Sequence, residues 1–77
     1  MKKDKAKAIL SILRAGIGVN IICGNKNPDL KLVRKIINNT IEKLETESDI
    51  EKLMTETFET INPLLEKAAN EKDNENT

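Results

Sequence analysis

Residues 4–22, DKAKAILSILRAGIGVNII, decide the fold. Spaced at 100° per residue, as on an α-helix, they are apolar over most of the circumference. Ala8, Ile12, Val19 and Cys23 fall on one side and Ile9, Leu13, Ile17 and Ile21 on the next. Lys7 and Arg14, with Lys3 beside them, hold only a narrow polar strip. Ala8, Ser11, Ala15 and Gly18 add a stripe of small side chains where another helix can approach closely. Such a helix must be covered on most of its surface, so the rest of the chain is expected to fold around it. Gly16 and Gly18 weaken it by about 1 kcal/mol each relative to Ala. They leave an alternative in which residues 17–23 are extended, but the helix is preferred.

Downstream, Gly24 stops this helix and the segment 25–29 (NKNPD) turns the chain. Asn27 is a natural N-cap, and Pro28 suits the first helical position because its missing N–H costs nothing there. A second helix is expected over 28–45, with Leu30, Val33, Ile37, Ile41 and Leu44 in one apolar stripe and Ile36 and Thr40 on its flank. Ser48 and Glu51 have capping-box spacing and open a third helix over 49–69. Its stripe (Ile50, Leu53, Met54, Thr57, Phe58, Ile61, Leu64, Leu65, Ala68) keeps phase through Pro63, which predicts one bent helix rather than two. Short connections favour antiparallel neighbours. The expected class is therefore all-α: a small three-helix antiparallel bundle over residues 1–69. Residues 70–77 (NEKDNENT) have nothing apolar to bury and are expected to be a disordered polar tail.

At 77 residues the chain is near the lower limit for a domain held by its core alone. Its aromatic content is Phe58, so the core is built of Ile and Leu. Helix 1 is expected to be the most buried element, with Leu13 and Ile17 close to fully buried. Its apolar excess predicts self-association, since a second copy would cover it.

Charge is divided between the halves. Residues 1–37 carry nine Lys or Arg against two Asp, a balance of +7, and residues 38–77 carry four Lys against eleven acids, a balance of −7. The formal total is zero. On helix 2, Lys31, Arg34, Lys35 and Asn38 follow i, i+3, i+4, i+7 spacing and make a basic strip that suits a phosphate backbone or a major groove. Against that, the third helix carries Asp49, Glu51, Glu56, Glu59 and Glu66, which repel phosphate, and no aromatic side chain stands ready to stack on single-stranded bases.

Catalytic patterns are nearly missing. The chain has no His, hence no Ser-His or Cys-His pair, and Gly16 and Gly18 lack the third Gly and the preceding strand of a phosphate loop. Asn25, Asn27 and Asp29 have the 1, 3, 5 spacing of a calcium loop, but Leu30 and Ile36 stand where that loop needs Gly and Glu, so they are assigned to a turn and cap. Cys23 is unpaired and is expected to pack as a small hydrophobe. No catalytic residue, metal site or cofactor is expected. Arg14 interrupts the apolar run, Ile22 precedes Cys23 where a lipoprotein signal has a small residue, and residues 8–23 are short for a bilayer. A cytoplasmic location is expected, and a membrane role is disfavoured because the polar arc of helix 1 is narrow.

The functional expectation is a small non-catalytic protein that binds another protein, as regulator, inhibitor or assembly accessory. The contact is expected on the apolar excess of helix 1, at Ile9, Leu13, Ile17 and Ile21. The rival expectation is a small DNA-binding regulator using Lys31, Arg34, Lys35 and Asn38.

Overall fold

A computed structural model describes residues 2–75, with side chains described through Ala68. Three helices follow in order: α1 Lys3–Ile22, α2 Pro28–Lys43 and α3 Ile50–Glu75. The described residues contain no strand, so α1 runs through Gly16 and Gly18 instead of giving way to an extended segment. Contacts between the ends of the elements set their directions. Lys3 Nζ donates to the Glu45 carbonyl at 3.3 Å and Arg14 Nη1 to Asn38 Oδ1 at 2.8 Å, which makes α1 and α2 antiparallel. Thr40 lies against Thr57, and Asp29 against Lys67, which makes α2 and α3 antiparallel. The chain is thus an all-α, up-down-up bundle.

The boundaries follow local chemistry. At the end of α1, Gly24 adopts φ 99°. Its N–H donates to the Ile21 carbonyl at 3.1 Å, and Asn25 N–H to that of Asn20 at 3.1 Å, the paired bonds of a left-handed glycine cap. Asn27 Oδ1 accepts the Asp29 N–H at 2.9 Å with Pro28 in the first turn, as the sequence predicts. α2 ends at Lys43 rather than at 45, where its last turn tightens into the bonds from Glu45 N to Glu42 O and from Thr46 N to Lys43 O. The cap of α3 falls on Asp49, not Ser48: Asp49 Oδ1 accepts the Lys52 N–H at 3.0 Å. An aspartate there also sets a negative charge at the positive end of the helix. α3 passes through Pro63 as one helix. It continues to Glu75, beyond the expected end at 69, so part of the segment expected to be a disordered tail has helical backbone. Glu and Lys at 71 and 72 are good helix formers, and extending an existing helix costs little. The remainder of that tail, 76–77, lies outside the described residues.

The core sits on α2. Leu30, Val33, Ile37 and Leu44 are buried, joined by Leu53, Met54, Ile61 and Ala68 of α3 and by Ala6, Leu10 and Ile17 of α1. α2 packs along both neighbours, whereas α1 and α3 meet over a much shorter stretch. Helix 1 is therefore not the most buried element. Leu13 is half-buried, while Leu10 is fully buried. The reason is rotational. A helix apolar nearly all round has no preferred phase of its own, and here it settles with Ala6, Leu10 and Ile17 in the core, while Arg14 reaches Asn38 of α2 and Lys7 reaches Glu45 just beyond it.

One polar pair lies in this core. Thr40 Oγ1 and Thr57 Oγ1 are 3.0 Å apart, and each also reaches the carbonyl four residues back, Ile36 O at 3.0 Å and Leu53 O at 2.8 Å. Two hydroxyl protons thus serve three contacts, so either residue alone can satisfy its own proton locally. Thr40→Val and Thr57→Val should each cost about 0.5–1.5 kcal/mol, and the double change less than their sum. Denaturant titration of the four proteins measures this, and strictly additive losses would show that the two hydroxyls act independently.

Candidate functional site

The antiparallel seating of α1 against α2 decides which of its apolar side chains remain outside. Of the residues expected to form the contact surface, Ile17 is buried, and Ile9, Leu13 and Ile21 are partly buried against the core. Ile17 thus packs within the bundle, whereas Ile9, Leu13 and Ile21 keep part of their surface outside it. The surplus lies on the next face round. Ile12 is 74% exposed, Val19 59% and Ile22 86%, and Ala8 and Ala15 on the same face are also exposed. Cys23 closes this face at the helix end and is exposed rather than packed in the core. Sequence spacing groups Ala8, Ile12, Val19 and Cys23 together, but it does not say which of two neighbouring apolar stripes faces inward.

Beside this face, the limited meeting of α1 and α3 leaves an open groove of about 500 Å³. Ile9, Met54 and Phe58 form its apolar floor, and Thr55, Glu59 and Asn62 line it on the α3 side. Its apolar floor begins at Ile9, so apolar surface continues from α1 toward α3.

The basic strip of α2 lies elsewhere. Lys31, Arg34 and Lys35 are exposed. Among the described residues they take part in no ion pair, whereas Lys7 lies 3.9 Å from Glu45 and Lys67 3.8 Å from Asp29. Asn38 is exposed too, but its Oδ1 accepts from Arg14, which ties it to α1 and adds Arg14 to the cationic strip. α3 packs on the side of α2 that carries Thr40 and Asp29, and the strip lies on the other side. Lys31, Arg34 and Lys35 therefore face solvent rather than the acidic residues of α3.

Chemically, these surfaces offer apolar area and positive charge. The Asx residues of the first loop are engaged by backbone, with Asn25 Oδ1 accepting the Asn27 N–H at 3.0 Å and Asn27 capping α2. Among the described residues no three Cys, Asp or Glu side chains gather where they could hold a metal ion. None of the described helices is long and apolar enough to cross a membrane. Comparison with protein-family models, with curated proteins and with solved structures gives no match to this chain.

Proposed function

We propose that this is a small non-catalytic helical protein that binds another protein through the outer face of α1, as a regulator, inhibitor or assembly accessory. One observation carries the reading: Ile12, Val19 and Ile22 stand exposed on the same face of one helix, with the exposed Ala8 before them and Ala15 between them. Single exposed hydrophobes need no explanation, but a contiguous apolar stripe on a small protein marks a contact surface. The test is affinity capture with wild type and with Ile12→Asp/Val19→Asp. Both positions are exposed, so the double change should leave the helical circular dichroism intact and abolish retention of any species held by the wild type. Equal retention by the two proteins would overturn the reading.

A second reading is favoured by the exposed, unpaired Lys31, Arg34 and Lys35. They are free to meet phosphates, as a DNA-binding regulator requires, and such binding would weaken steeply with salt through counterion release. The acidic α3 within the same small domain counts against it. A low-salt gel shift with wild type and with the three residues changed together to Ala decides: micromolar or tighter binding lost in the triple variant would promote this reading over the first.

A further inference from the structure

We propose that the occupant of the α1 outer face is a second copy of this chain, packed antiparallel about a two-fold axis that passes between Ala15 and Gly16. The inference rests on the protein-binding reading of that face and names its partner.

The glycines of α1 supply the first observation. A Cβ built at Gly16 or at Gly18 meets nothing within 4 Å, and neither residue has a positive φ. Neither packing nor backbone conformation within the bundle requires glycine at these positions, although each weakens the helix. At Gly16, which flanks the face of Ile12 and Val19, the missing Cβ would let another helix approach closely. Ala15 and Gly16 form a low centre on α1, and the bulky, exposed Ile12 and Val19 stand at nearly equal distances on either side along the helix. This shape is complementary to itself when reversed. Ile12 then packs beside the partner's Val19, Ala15 beside the partner's Gly16, and Ala8 beside the partner's Cys23. An interface of that kind is isologous and closes at two copies.

Charge selects the direction and favours a second copy over an acidic partner. Lys2, Lys3, Lys5 and Lys7 crowd the first turns of α1 against Asp4 alone, whereas residues 15–22 carry no charge. Parallel pairing would stack the lysines. Antiparallel pairing sets them beside the uncharged end of the partner helix, where the helix dipole is negative. The two lysine clusters are then roughly 30 Å apart, about the length of a 20-residue helix and well beyond the Debye length in physiological salt. An acidic partner helix would find cations to pair with at one end of the face only.

The test combines sedimentation with cross-linking of the full chain. Wild-type mass should rise from 8.6 kDa toward twice that with concentration, reaching the dimer by high micromolar. Ile12→Asp/Val19→Asp should stay at 8.6 kDa with unchanged helicity. Gly16→Ala should raise the thermal midpoint of the dilute protein and yet weaken dimerisation by roughly tenfold or more in Kd. With a short bis-maleimide the wild type, whose thiol is Cys23, should remain uncross-linked, whereas Ala8→Cys should give a covalent dimer. Positions 8 and 23 of one helix are too far apart for that reagent to bridge within a chain. Three outcomes overturn the proposal: a wild type at 8.6 kDa throughout, a double Asp variant that dimerises normally, or efficient Cys23-to-Cys23 cross-linking in the wild type. If the wild type is monomeric but the double Asp variant still loses captured protein, the second copy is excluded and the broader protein-binding reading stands.

Discussion

Leu10→Ala is expected to lower the stability of the protein by about 2–5 kcal/mol. Leu10 is fully buried, the largest side chain that α1 contributes to the core at that level of burial. Shortening it removes apolar contacts and leaves a space between packed helices that cannot collapse without moving their backbones. A chain of this size has a total stability of about 4–12 kcal/mol, so the loss is a large share of it. Each kcal/mol shifts the thermal midpoint of such a domain by about 4–8 °C. Leu13→Ala should cost less, because Leu13 is half-buried, and Ile12→Ala should stay within about 0.5 kcal/mol of wild type. Thermal and denaturant melts of the three variants report the rotation of α1 directly. A large loss at Ile12 with little change at Leu10 would mean that α1 is turned the other way.

Pro63→Ala should act in the opposite direction, stabilising the protein by about 1–3 kcal/mol. Pro63 lies inside α3 and is exposed, so alanine meets no steric demand at that site. Proline there cannot donate to the Glu59 carbonyl, and its ring crowds that carbonyl. Alanine restores the bond and relieves the crowding. Part of the gain is offset because proline also restricts the unfolded chain, an effect of about 0.4–1 kcal/mol. The denaturant midpoint should rise, and the gain should exceed that of any surface substitution on α3 away from the proline. A fall in stability would show that the backbone geometry proline imposes at position 63 is needed for the burial of Ile61.

The first loop and α2 were legible because their signals are local. Asn27 before Pro28 can satisfy a helix N-terminus in only one way, and the stripe of Leu30, Val33, Ile37 and Leu44 has a polar opposite face that settles its rotation. The start of α3 was less legible, since Ser48 and Asp49 are both good caps one residue apart, and in the fold it is Asp49 Oδ1 that accepts the Lys52 N–H. On α1 two apolar stripes compete, and no local rule ranks Leu10 above Ile9 or Ile12. Of the stripe that the sequence offers as a contact face, Ile17 is buried and Ile9, Leu13 and Ile21 are partly buried, while the neighbouring stripe with Ile12 and Val19 is exposed.

By itself the amino-acid order determined the number of helices, their turns, the antiparallel arrangement and the surplus of apolar surface on α1. Periodicity, caps and loop lengths act over a few residues and do not depend on what lies across the core. Tertiary packing alone decided which side of α1 is inside, that α2 rather than α1 is central, and that Lys31, Arg34 and Lys35 look outward. Those outcomes turn on packing between residues far apart in the chain: burial of Ala6, Leu10 and Ile17 with the α2 and α3 core residues chooses among rotations that the sequence of α1 leaves nearly equal, and Thr40 with Thr57 helps seat α3 on α2.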